Sequence, residues 1–441
     1  MTEFSRKDFL GFGGAAALLA AAGCRTDGVA SKTGGLTIQG FDETDAGELS
    51  SRPWVPYSDR KVRVGIAGEG FCQFGSQFGY QTNPNVEVVA CAELAQERRD
   101  LLQKRVGAKK AYASCEEMIR HAGEDKLEAV YVATDARSHI QLAIMALEHG
   151  LNVVTSCPAF LGKDQLEYVP KLLDAVKRSG KIYMMNETTA FRPECYMMRK
   201  LYEEGKLGAI TYCEGEYFHP GDNDPDEAKG KPHDHFSYKA WRWGLPPMYY
   251  PTHSNGFYTC VTHKRFTEVT CTGVPSLKFP YTKAGQNEYG NPYGSEYAMY
   301  KCEDGASARM LVAWDQPAWG AEIGRIWGQK GCCIPEHCYG PDGKRVLARA
   351  YRGWFEKEFN ADIDRYLKPQ LAPNTSKTDD YGGHGGSHAY LTDDFIRGII
   401  LPDHKVCVDV VTALNTTIAG VYAHLSAMKG GEALKIPEIS L

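Results

Sequence analysis

Val62-Arg-Val-Gly-Ile-Ala-Gly-Glu-Gly70-Phe-Cys-Gln-Phe-Gly75 is the stretch on which the fold turns. Val62–Ala67 is an apolar run of strand length. The glycines after it permit a tight turn and let backbone amides approach a pyrophosphate at a helix N-terminus. Gln73 stands where the usual spacing has its third glycine, and Gly75 is available in a shifted register. A second apolar run, Val86–Ala92, ends at Glu93. An acidic residue at that place hydrogen-bonds an adenosine ribose diol and repels a 2′-phosphate, which points to NAD rather than NADP.

The pattern continues outward. Strands are expected at Leu127–Ala133, Leu151–Thr155 and Ile182–Met185. Helices are expected at Ala95–Val106, at Ser138–His149 before Gly150, and at Lys163–Ser179 before Gly180. Strands alternating with helices of this length imply an α/β fold with a doubly wound parallel sheet, a Rossmann domain over residues 61–186. After Asn186 the rhythm changes. A helix is expected over Pro193–Glu204, then strand-like alternation in Ala209–Phe218, Val269–Thr272, Tyr297–Lys301 and Ala306–Ala313. This predicts an α+β domain over residues 187–441 with a largely antiparallel open sheet and a cleft between the domains. Residues 331–385, rich in Gly, Pro, Tyr and Lys, are expected to be long loops. Tyr390–Gly398 and Cys407–Ala427 are expected to be helical, with a C-terminal helix returning to the first domain.

The amino end has a different character. Ser5-Arg6-Lys7-Asp8-Phe9-Leu10 is a basic start, and an apolar run follows to Gly23. That run falls short of the roughly 20 residues of a membrane span, and the layout of residues 1–24 is that of a signal peptide. Arg6-Lys7 resembles a twin-arginine export signal with lysine in second place. The small residues before Cys24 resemble a lipobox, which makes Cys24 a candidate lipid anchor. Residues 25–60 read as a polar tether. The expected location is outside the bacterial cytoplasm, periplasmic or membrane-anchored. A dinucleotide enzyme there must carry its cofactor with it.

Composition limits the partners. The chain has 441 residues, 43% of them hydrophobic and 24% charged, enough for two domains with ample core. Its net charge of -5 argues against nucleic acid. The 14 cysteines form no CxxC pair and no zinc-ribbon pattern, so most are expected to be buried thiols. In His233-Asp234-His235 two histidines share one side of an extended segment, but spacing places no third ligand, so no metal site is expected.

Two segments carry a family resemblance. Ala129-Val-Tyr-Val-Ala-Thr-Asp135-Ala-Arg-Ser-His139 and Ala146-Leu-Glu-His-Gly-Leu-Asn-Val-Val154 are similar to the Gfo/Idh/MocA oxidoreductases. The resemblance implies an N-terminal Rossmann domain and a C-terminal domain whose sheet mediates homo-oligomerisation. It places Thr134, Asp135 and His139 on the nicotinamide side. The implied cofactor contacts also include Gly68, Gly70, Phe71, Cys72, Glu93, Cys157 and Pro158. One departure stands out. The family commonly has Glu-Lys-Pro after the Val-Val strand, where this chain has Ser156-Cys157-Pro158. A neutral thiol does not do the acid–base work of that lysine.

A narrower resemblance rests on Tyr250-Pro-Thr-His253 with Trp241-Arg242 before it. Asn186-Glu187 with Phe191-Arg192, Gly215-Glu-Tyr-Phe-His219 and Gly383-His-Gly-Gly386 share it. These islands resemble glycoside hydrolase family 109, a branch that also lacks the lysine. The resemblance implies glycoside hydrolysis with NAD reduced and reoxidised in each turnover: oxidation at sugar C3, elimination of the C1 substituent, water addition, then re-reduction, without a metal. His253 is the leading acid–base candidate, since an unperturbed imidazole titrates near neutrality. Tyr250 is a candidate proton relay. Glu187, at the carboxyl edge of the first sheet, is a third catalytic candidate or simply an ion-pair partner of Arg192. Arg192, His219, Trp241, Arg242 and His384 are candidate carbohydrate contacts, and Trp243 and Tyr249 are candidate stacking surfaces. The alternatives are a sugar or polyol dehydrogenase with an altered base, and a non-catalytic carbohydrate-binding relative.

Overall fold

The computed structural model describes residues 56–70, 72–219, 241–276, 285–315, 321–334, 337–339, 345–346, 384 and 387–441. The export signal, Cys24, most of the tether, Phe71 and His233-Asp234-His235 lie outside the described residues.

The first sheet is wholly parallel. Its strands are β1 (Val62–Ala67), β2 (Val86–Ala92), β3 (Lys110–Tyr112), β4 (Ala129–Val132), β5 (Asn152–Ser156) and β6 (Tyr183–Asn186). They lie in the order β3-β2-β1-β4-β5-β6. β4, β5 and β6 are buried along their whole length, because helices cover both faces of a parallel sheet. β1 sits between β2 and β4, so the chain order reverses there, and ligands of open α/β sheets bind outside the carboxyl ends at such a point. β3 was not expected from the sequence. Its three residues, Lys-Ala-Tyr, are too few to show a pattern.

The second sheet comprises β7 (Ile210–Phe218), β8 (Phe266–Pro275), β9 (Tyr293–Cys302), β10 (Ser307–Ala313), β11 (Ala321–Gly328), β12 (Cys332–Ile334), β13 (His337–Tyr339), β14 (Arg345–Val346) and β15 (Leu434–Lys435). The order is β14-β13-β12-β11-β7-β10-β9-β8-β15, with β7 and β10 parallel and the remaining neighbours antiparallel. β12 to β14 correct the expectation that residues 331–385 form only loops. Cys333, in register across from Cys338, is disulfide-bonded, an exception to the expected buried thiols.

The helix Thr252–Thr262 is buried at every residue. It packs against β7 so closely that a Cβ on Gly215 would stand 2.0 Å from the Ser254 carbonyl oxygen. The last long helix, Val410–Met428, bonds to both halves of the molecule. Thr417 Oγ1 accepts from the Ala159 amide (3.3 Å), and Ser426 Oγ accepts from the Cys271 amide in β8 (2.9 Å). The helix Ser387–Ile400 reaches the first sheet's loops, where Thr392 donates to the Phe78 carbonyl (2.6 Å). No helix among the described residues is long and apolar enough to cross a membrane.

Gly215→Ala tests the packing of this helix on β7. The added methyl has no room, and overpacking of this kind costs about 1–3 kcal/mol. A lowered melting temperature is expected, and an unchanged one would show that the helix can move off the strand.

Candidate active site

The loop after β1 closes a tight crossing. Gly68 has φ +101°, and a Cβ there would lie 2.3 Å from the Ala133 carbonyl oxygen at the end of β4. Gly75 meets the shifted-register expectation: its Cβ would stand 2.2 Å from Gly68 O. A side chain on Gly70 would meet nothing within 4 Å, so the loop leaves open space at that point. The helix it opens is one turn long, Phe74–Gln77.

A cavity of about 380 Å³ begins beside this loop. At one end Glu93 and Arg98 form an ion pair of 3.2 Å, and the Glu93 carboxylate also accepts from the Glu69 amide (2.8 Å) and the Ala95 amide (3.1 Å). Gly68, Gly70, Cys72, Thr134 and Asp135 line the middle. At the other end are His139, Cys157, Trp241, Arg242 and Tyr250. A Cβ-free crossing, an acidic residue at one end and an open cavity between match the requirements of an extended dinucleotide.

His139 has a holding role. Its Nδ1 lies 2.8 Å from Pro158 O and its Nε2 3.1 Å from Thr134 O, so the ring ties the turn after β4 to the turn after β5. Burial lowers its pKa against the pull of those two carbonyls. The Cys157–Pro158 peptide is cis. Ser156, which sequence reasoning missed, also lines the cavity and shares a 3.0 Å hydrogen bond with the Tyr131 hydroxyl. A serine at a strand end carries no distinctive spacing signal.

Behind the cavity wall is a buried acid–base pair. Glu187 directly follows β6 and caps the short helical turn Thr188–Phe191, and its Oε1 lies 2.7 Å from His253 Nδ1 on the Thr252–Thr262 helix. The two side chains are 0% and 2% exposed. The other ring nitrogen, Nε2, faces Cys157 Sγ at 4.0 Å, and the Tyr250 hydroxyl lies 3.3 Å from the same sulfur. Burial opposes charge on His253, but the Glu187 carboxylate outweighs it and holds the imidazole well above its ordinary value. Burial likewise opposes charge on Glu187, and the facing His253 overcomes it and lowers the carboxyl's pKa. Burial, with Cys157 adding to it, keeps the Tyr250 phenol protonated against the opposing pull of Arg242. Arg242 lies against the Trp241 and Tyr250 rings, 4.4 and 4.5 Å from their centroids, and makes no ion pair with a carboxylate among the described residues.

Cys157, Glu187 and His253 are the one group among the described residues with donor atoms close enough for a metal, within 4.8 Å of one another. Glu187 addresses Nδ1 and Cys157 faces Nε2, on opposite sides of the ring. The hydrogen-bonding line from carboxylate to imidazole to sulfur has the form of a proton relay.

Other candidates lie elsewhere. Arg192 does not pair with Glu187. Its Nε lies 2.6 Å from Glu322 Oε1 in a buried ion pair that Thr189 also joins. His219 packs edge-on against Tyr217 and Trp314 and is not part of the cavity wall described. His384 lies 5.6 Å from the His253 ring and bonds to His388 (2.9 Å). The ring of Tyr249 lies against Gly162 and His424, away from the cavity.

These features agree with known proteins. Residues 62–187 match the model of the oxidoreductase family with an NAD-binding Rossmann fold. This segment is therefore similar to the Gfo/Idh/MocA oxidoreductases, a class with an NAD-binding Rossmann fold. Within that class, the chain is similar to glycosyl hydrolase family 109 proteins. An α-N-acetylgalactosaminidase of Bacteroides fragilis is 30% identical over 141 residues, 31% of this chain and 32% of that one, so the chain spans about a third of the length of such relatives. A family 109 protein of Streptomyces niveus is 24% identical over 432 residues, 90% of this chain and 82% of the relative. Among solved structures, scyllo-inositol dehydrogenase of Lactobacillus casei with NAD(H) and scyllo-inositol has a TM-score of 0.61 at 15% identity, covering 85% of this chain and 99% of that one.

Two outcomes follow from this geometry. Gly68→Ala is expected to purify with little or no dinucleotide, measured in denatured extracts, because its methyl would push β1 and β4 apart. Glu187→Gln is expected to destabilise the protein by about 3–5 kcal/mol in urea titrations, the cost of breaking a buried pair. The depressed carboxyl contributes fully above its ordinary 4.5 and loses that contribution as pH falls through its lowered value. The raised imidazole contributes fully below 6.5 and loses that as pH rises through its raised value. The difference between wild type and variant should thus be largest between pH 4.5 and 6.5. A difference independent of pH would mean the pair carries no charge.

Proposed function

We propose that this protein is an NAD-dependent glycoside hydrolase that oxidises its sugar transiently at C3, eliminates the C1 substituent, adds water and re-reduces the product with the same NAD. The observation that carries the reading is the buried Glu187–His253 pair, whose imidazole faces Cys157 and Tyr250 at the end of the cavity opposite Glu93. Gly68, Gly70 and Glu93 would hold the dinucleotide, with Thr134, Asp135 and His139 towards its nicotinamide end. Bound NAD would supply a reversible two-electron acceptor there.

The remaining work falls to the chain. Tyr250, held as a phenol, has a proton to give or exchange at its hydroxyl. His253, kept in its orientation and tautomer by Glu187, can take a proton at Nε2 and return it. Arg242 brings positive charge to the cavity wall, which favours oxyanions developing on a bound sugar. Trp241 offers a flat apolar face. The similarity to an α-N-acetylgalactosaminidase makes N-acetylhexosaminides the first substrate class to test.

Export through the amino-terminal signal, with a lipid at Cys24, belongs to the same reading. The disulfide at Cys333 supports it, since such bonds persist in oxidising compartments. So does the chemistry, because a hydride returned within each turnover frees the enzyme from cytoplasmic cofactor supply. Val274, Tyr297 and Met299, exposed on β8 and β9, support homo-oligomerisation through the second sheet.

A panel of aryl glycosides of both anomers, assayed with only the NAD that accompanies the purified protein, tests the activity. Release of the aryl alcohol without accumulation of NADH is expected. NADH formed in step with an oxidised sugar would make the protein a dehydrogenase, and a preparation that neither carries nor binds dinucleotide would make it a carbohydrate-binding relative. His253→Ala is expected to lower turnover by about 10²–10⁴-fold while its NAD content stays at the wild-type level.

A further inference from the structure

Cys157 is where the buried relay reaches the cavity. Glu187 and His253 lie behind the wall, and Cys157 is part of it. The sequence of contacts is carboxylate to imidazole at 2.7 Å, then imidazole to sulfur at 4.0 Å. In this arrangement a base sits beside a nucleophile and a third group orients the base. Glu187 accepts the hydrogen on Nδ1, which leaves Nε2 to exchange a proton with the thiol. Tyr250 contacts the sulfur from a second side. An independent feature points to a ligand at the same place: Arg242 is 7% exposed, lines the same cavity and has no carboxylate partner among the described residues. Its hydrogen bond to Tyr250 supplies no carboxylate, so the guanidinium favours a ligand oxygen bearing negative charge at this wall.

We propose that Cys157 is a covalent nucleophile that takes an α,β-unsaturated ketone in this cavity by reversible conjugate addition. The neutral form of His253 first receives the thiol proton at Nε2, becoming the imidazolium that Glu187 stabilises. A bond then forms from Sγ to the β-carbon, the carbon–carbon π pair moves to the α-carbon, and that carbon takes the proton back from Nε2. The thiol has added across the double bond, with no net oxidation or reduction, and reversal releases the ketone intact. As a natural ligand the unsaturated ketone rests on the hydrolase reading, in which elimination leaves a C3 ketone conjugated to a C1–C2 double bond, and C1 is then the carbon attacked. The reactivity of the thiol does not depend on that reading.

The test uses the full chain and cyclohex-2-en-1-one at neutral pH, with intact mass and peptide mapping as readouts. One adduct per chain, mapped to Cys157, is expected. His253→Gln is expected to lower the melting temperature, because the buried Glu187 carboxylate loses its partner, and in the folded variant to slow adduct formation on the order of a hundredfold. Mapping of the wild-type chain decides the matter even if Cys157→Ser does not fold. Adducts confined to Cys72 or to other cysteines, an unchanged rate in His253→Gln, or stoichiometric zinc that must be chelated before Cys157 reacts would each overturn the proposal. The glycoside panel needs no labelling and the labelling needs no glycoside. Aryl alcohol release without an adduct overturns the nucleophile alone, and an adduct without release overturns the hydrolase alone.

Discussion

The buried pair of Glu187 and His253 is the contact on which the site depends. Taking a carboxylate and an imidazolium out of water is costly, and only close geometry recovers the loss. Glu187 comes from the turn that leaves the parallel sheet, and His253 comes from a helix packed on the other sheet. The pair therefore exists only when both sheets have formed and docked. Gly215 lets the helix lie directly on β7, and the Val410–Met428 helix bonds to the turn after β5 and to β8, so the docking is held on both sides. Site and scaffold are one, because the pair that joins the halves stands directly behind the cavity wall.

The cavity has a matching division of labour. Its Glu93 end is built from loops of the parallel sheet and meets the general requirements of a dinucleotide. Its Cys157 end draws on both halves, with Tyr250, Trp241 and Arg242 brought in by the segment before the buried helix. His139 lies between them, with a carbonyl oxygen within hydrogen-bond distance of each ring nitrogen and one N–H to donate. Cysteine stands where related oxidoreductases have lysine, and the histidine behind it is the nearest imidazole to that position. The sulfur remains as the point of contact between the relay and whatever the cavity holds.

Much of this was legible in the chain. Alternating strands and helices of regular length specify a parallel sheet, because an apolar run buried on both faces has few other solutions. The glycines at 68, 70 and 75 and the acid at 93 mark a ligand site because backbone crossing and ribose binding need those residue types at those distances. Tyr250, His253 and Glu187 were identifiable through short islands of family similarity, but their mutual contact was not. Glu187 and Arg192 are near neighbours in the chain and looked like partners, yet the fold sends Arg192 to Glu322 and Glu187 to His253. β3 and the strands β12 to β14 were missed because two or three residues show no periodicity.

The sequence by itself determined the two-part α/β architecture and the dinucleotide loop, and it singled out Glu187, Tyr250 and His253 as acid–base candidates. These follow from local pattern, where a few neighbouring positions carry the physical requirement. Tertiary structure decided which carboxylate meets which base, that His219 and Arg192 stand apart from the cavity, and that Cys157 rather than His253 forms its wall. Such outcomes depend on how two separate sheets dock, and residues some 66 and 96 positions apart acquire a common environment only through that packing.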